Sequence, residues 1–158
     1  MGSNSERWIV RLPGEGRAIG MGAFDMTLKV DAAESDGAFS LLEATEPPNF
    51  GPPIHIHQDA GESFYVLSGE YFVFMEDQEY LCPAGSFVYI PAGVAHGFRV
   101  GQVESRKLVI FTPASMVGYF DELAHIATTG TQLDKESLAE MAEKYGMRIL
   151  GPVPEGYH

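Results

Sequence analysis

The segment GPPIHIHQDAGESFYVLSG, residues 51–69, sets His55 and His57 one residue apart and follows them with Glu62. A third histidine, His96, comes after Pro91 and Gly93 in GSFVYIPAGVAHGF. Imidazoles and a carboxylate bind divalent transition metals, move protons near neutral pH, or hydrogen-bond to carbonyls in a core. Side chains alternate between faces along a strand, so His55 and His57 share one face and Ile54 and Ile56 the other. Such a pair either shares one cation or forms two core histidines satisfied by neighbouring carbonyls. Glu62 opens the next strand after the QDAG turn, near enough to return a carboxylate to the pair. A buried glutamate without a cationic partner is costly, and a metal ion would be such a partner. Taken singly, His96 is a surface histidine beside a turn; taken with the others, it offers a third imidazole.

The elements that must position these residues are mostly strands. Residues 8–12 and 24–30 read as strands separated by the glycine-rich turn PGEGRAIGMG, and 38–44 follows the SDG turn. Four prolines in 46–53 deny ladder donors and fix φ, which makes a rigid connection into the histidine segment. Strands at 62–67, 70–75, 80–82, 86–90, 96–100 and 106–112 complete the set. Helical spacing then appears over 114–127, and again after Asp134, an N-cap candidate ahead of Leu138, Met141 and Tyr145, with Gly146 at the end. Strands first and helices last, joined by short links, argue an antiparallel β architecture with a helical appendix.

The chain has 158 residues, 45% of them apolar, which suits one domain with a substantial core. Its expected parts are a leader or cloning remnant at 1–5, a barrel over 6–113, and helices with a tail over 114–158. A formal charge of -12 repels phosphate backbones and anionic membranes, so neither nucleic acid nor membrane is an expected partner. The single cysteine, Cys82, has no intrachain disulfide partner and no charged neighbour in sequence, and reads as a buried structural thiol. No N-terminal run combines basic residues with a long apolar stretch, so the expected location is the cytoplasm. His125 reads as a solvated or interface residue, and His158 is terminal.

Gly51, His55, His57, Glu62 and Gly69 resemble the first motif of the cupin superfamily, and Gly85, Pro91, Gly93 and His96 resemble the second. Val100 stands where the second motif usually ends in asparagine, a departure that concerns pocket polarity. The resemblance implies an all-β, antiparallel jelly-roll barrel followed by two C-terminal helices. It also implies that His55, His57, Glu62 and His96 converge on one divalent metal, with Fe, Mn, Ni, Co and Zn all compatible with three nitrogens and a carboxylate. By the same-face rule Phe64 and Val66 follow Glu62 inward, and Phe98 and Val100 follow His96, giving an apolar substrate pocket or simply barrel core.

Within that superfamily the donor set resembles quercetinase-like dioxygenases. This implies a small aromatic or apolar enol substrate held through an oxygen, Glu62 as the group that takes the enol proton, and O2 as co-substrate. The alternatives are a non-redox cyclase, isomerase or lyase using the metal as a Lewis acid, and a metal-bearing binding module without turnover. Sugar phosphates fit poorly, because Arg99 is the cation that stands close to a motif and it faces away from His96. Trp8, Ile9 and Val10, with apolar residues on both helices, suggest a homodimer in which an N-terminal strand joins the partner's sheet.

Overall fold

The computed structural model describes residues 8–152; the expected leader at 1–5 and His158 lie outside them. Ten strands come first: β1 (Arg17–Gly20), β2 (Asp25–Val30), β3 (Ser40–Glu46), β4 (Ile54–His57), β5 (Gly61–Ser68), β6 (Glu70–Met75), β7 (Gln78–Pro83), β8 (Phe87–Ile90), β9 (His96–Val100) and β10 (Ser105–Thr112). Two helices, α1 (Val117–Thr129) and α2 (Lys135–Lys144), and a last strand, β11 (Met147–Gly151), follow. The strands form two antiparallel sheets, in the orders β1-β2-β3-β10-β5-β8 and β11-β4-β9-β6-β7. This is a jelly-roll barrel, and its core lies between the sheets.

Alternation explains which side chains enter that core. In β3, Ser40, Leu42, Ala44 and Glu46 are buried while the residues between them are partly exposed. β10 sends Ser105, Lys107, Val109 and Phe111 inward, and β5 sends Glu62, Phe64 and Val66 inward with Tyr65 and Leu67 outside. Gly69 turns the chain from β5 to β6 at φ 75°, where an added Cβ would fall 2.0 Å from the Ser105 hydroxyl oxygen. Only glycine suits both demands.

Five expectations are corrected. Residues 8–12 form no strand, and Trp8 and Val10 are exposed. The glycine-rich stretch is not all turn: it contains β1, which buries Ile19 opposite Met26 of β2. The expected tail supplies β11, which pairs with β4 at Met147↔His57 and Ile149↔His55 and so flanks the histidine strand. The helices are more than an appendix, because Tyr119, Phe120 and Leu123 of α1 and Leu138 of α2 line the barrel's cavity. α1 begins at Val117 rather than 114, after Met116 in the left-handed region. α2 follows the Asp134 cap as its sequence suggests, with the carboxylate accepting from the Ser137 N–H at 2.8 Å.

Candidate metal centre

His55 and His57 come from β4, Glu62 from the start of β5, and His96 from the start of β9. The QDAG turn brings Glu62 back beside its own motif. The pairing of β4 with β9 sets His55 directly opposite His96, with ring centroids 4.4 Å apart. His57 lies 5.0 Å from His55 and 5.3 Å from His96 between ring centres. One donor atom from each of the four residues falls within 4.8 Å of the others, and all four residues are buried. The nearest contacts run through Glu62 Oε2, which is 3.0 Å from His57 Nε2 and 2.9 Å from His96 Nε2.

Backbone carbonyls orient two of the rings. His55 Nδ1–H donates to the Pro53 carbonyl at 2.7 Å, and His96 Nδ1–H donates to the Val94 carbonyl at 2.9 Å. Each bond holds the ring's Nε2 side toward the cluster, the outer-shell arrangement that ligating histidines need. His57 Nδ1 is buried and has no hydrogen-bond partner among the described residues. Three imidazole nitrogens and one carboxylate are the donor chemistry of a divalent transition-metal site, and the cluster fits such an ion.

The electrostatics follow from burial and contact. Burial, then the neighbouring His96, push the His55 imidazole down to about 4, so it is neutral and available to a metal near pH 7. Burial opposes charge on Glu62, but hydrogen bonds from His57 and His96 outweigh it and hold the carboxyl well below its ordinary range. Burial likewise opposes charge on His96, and the Glu62 contact reverses the balance upward.

A cavity of about 390 Å³ opens beside the cluster, with His55, His57 and Glu62 in its wall. Its remaining surface is mostly apolar, with Phe24, Phe50, Phe98, Phe111, Tyr119 and Phe120 supplying aromatic rings. A volume of this size suits a small organic molecule. Of the expected pocket residues, Phe98 lines the cavity. Phe64, Val66 and Val100 are buried in the barrel and lie outside the cavity lining. Cys82 is a free, buried thiol, pushed up by burial, and His125 is exposed on α1.

The expectation that basic residues stand away from the pocket is also corrected. Arg99 is indeed outside, stacked over Phe72 with its guanidinium carbon 4.6 Å from the ring centre. Lys107, however, is 2% exposed and lines the cavity, donating to Glu46 Oε2 at 2.6 Å. The Tyr71 hydroxyl donates to the same oxygen at 2.7 Å. A local signal was present: Lys107 shares parity with Val109 and Phe111, and Glu46 with Leu42 and Ala44, so both charges ride on the inward face of their strands.

Comparisons with known proteins agree with this geometry. Residues 42–111 match the family described as Cupin domain. Over 137 residues, 82% of this chain, the sequence is 25% identical to quercetin 2,3-dioxygenase of Bacillus subtilis, and it spans 40% of that protein's length. An RmlC-like cupin from Shewanella frigidimarina has the same fold at a TM-score of 0.57 and 16% identity, covering 65% of this chain and 88% of that one. Streptomyces Pac13, solved with uridine, matches at a TM-score of 0.58 and 11% identity over 94% of each chain. No helix among the described residues is long and apolar enough to cross a membrane.

Proposed function

We propose that this chain, whose residues 42–111 match the family described as Cupin domain, is a metal-dependent enzyme acting on a small aromatic or apolar enol or carbonyl compound, as an oxygen-dependent dioxygenase of quercetinase-like type. The observation that carries this reading is the convergence of three imidazoles and one carboxylate on the wall of an aromatic, largely apolar cavity. Sequence similarity to a quercetin 2,3-dioxygenase supports it.

His55, His57, Glu62 and His96 would hold one divalent ion, which when bound supplies Lewis-acid binding of a substrate oxygen and, if redox-active, a route to O2 chemistry. The chain's own residues do the rest. Glu62, buried beside the cavity, takes and holds the enol proton of the substrate. Phe50 and Phe98, with ring centroids 6.4 Å apart, enclose a flat ligand and exclude water. We further propose a homodimer, since Trp8 and Val10 present apolar surface and Tyr65, Phe87 and Tyr89 do the same on the outer face of β5 and β8.

Metal analysis followed by oxygen-uptake assays on a flavonol and β-diketone panel tests the reading. Substrate loss matched by oxygen consumption supports it. Turnover under anaerobic conditions would replace it with Lewis-acid chemistry, and tight binding without turnover would replace it with a binding module.

A further inference from the structure

The cavity that carries His55, His57 and Glu62 also has Glu46 and Lys107 in its wall. Both are 2% exposed, and Tyr71, which completes their network, is fully buried. For the barrel alone such a network is a poor choice, because apolar side chains of similar volume fill a core at least as stably as a buried ion pair. Its hydrogen-bonding capacity is also incompletely used. Lys107 Nζ and the Tyr71 hydroxyl both donate to Oε2 of Glu46. Oε1 of Glu46 accepts no hydrogen bond from any described residue. An ammonium has three N–H donors. Lys107 gives one to Glu46 and sits 3.5 Å from the centre of the Phe98 ring, the same ring that lines the cavity. An acceptor and a donor with capacity to spare therefore stand side by side in the cavity wall.

We propose that Glu46 and Lys107 form a hydroxyl-reading pair: a ligand hydroxyl donates to Glu46 Oε1 and accepts from Lys107 Nζ, so that among flat apolar molecules the cavity selects those carrying a hydroxyl. The neutrality of the pair argues for a hydroxyl over a carboxylate or phosphate, since a ligand anion placed there would face Glu46 as well as Lys107. Tyr71 is a positioning residue that fixes the Glu46 carboxylate through Oε2 and leaves Oε1 for the ligand. This selection rests on the cavity being the substrate site, as proposed above, and is independent of the reaction carried out there.

The test is equilibrium binding of 2-naphthol, its near-isostere 2-methylnaphthalene, and 2-naphthoate to the chelator-treated full chain, read by titration calorimetry. Wild type should bind 2-naphthol at least about tenfold more tightly than 2-methylnaphthalene, because a buried pair built for a hydroxyl is left unsatisfied by a methyl group. The triple variant Glu46→Met, Lys107→Met, Tyr71→Phe should lose that preference while still binding 2-methylnaphthalene. Equal affinities in wild type, a preference that survives in the triple variant, tighter binding of 2-naphthoate, or no binding of any probe at millimolar concentration would each overturn the proposal. Should the triple variant fail to fold, the wild-type ranking of the three probes still decides it. With neither metal nor turnover in the measurement, a failed oxygen-uptake assay counts only against the reaction, and a failed ranking only against the hydroxyl-reading pair.

Discussion

Replacing Lys107 with methionine should be costly. Methionine fills the space of the lysine stem but leaves Glu46, 2% exposed, with the Tyr71 hydroxyl as its remaining side-chain donor. Removing one partner of a buried pair costs about 3–5 kcal/mol. In a chain of this size such a loss lowers Tm by about 10 °C. Calorimetric or urea unfolding of both proteins at pH 7 measures it, and the triple apolar variant should recover most of the stability. A Tm shift of less than about 2 °C would contradict this.

His55→Ala, His57→Ala and His96→Ala should each lose most bound metal by elemental analysis, and full occupancy in any of them would remove that residue from the donor set. Glu62→Gln should keep more metal than these variants, since an amide oxygen still ligates, yet lose about 10²–10⁴-fold in turnover; wild-type rates would end its role as a base. In the metal-free protein, His55 binds its proton about 2.5 pH units less readily than a free histidine, so its contribution of up to about 3 kcal/mol is present above pH 6.5 and lost as pH falls toward 4, while His96 contributes with the opposite sign. Chelator-treated melts across pH 4–7 check this, and a flat profile would contradict it. Sedimentation at micromolar concentration should give a dimer mass, and a dimer unchanged by deletion of residues 1–12 would exclude the N-terminal segment from the interface.

How much of this was legible depends on how far apart in sequence the causes lie. β6 and β9 run over the residues that alternation assigns to them, and the four-residue cluster was readable because each motif carries its own turn: QDAG returns Glu62 toward the histidine pair, and Pro91 with Gly93 delivers His96. β1 was hidden by glycine. Its four residues lie between Gly16 and Gly22, and its strand character comes from pairing with β2, where Ile19 meets Met26. β11 was hidden for a similar reason, as MRILG becomes a strand by lying against the histidine strand.

The pair of Glu46 and Lys107 shows the limit in its sharpest form. Lys107 announces itself locally, as a charge on the inward face of a strand whose other inward residues are small or apolar, whereas Glu46 lies beyond the expected end of its strand at residue 44 and in fact closes β3 on the inward face. Neither announces its partner, because the two meet across the β3–β10 ladder, where Lys107 lies opposite Ala44 and Ser105 opposite Glu46. One inward charge in a barrel strand is an anomaly that local reasoning assigns to a misjudged register. Two inward charges of opposite sign on different strands are another matter, since burying either alone costs several kcal/mol. That cost predicts that the strands carrying them are neighbours, and the barrel's six-stranded sheet places them so.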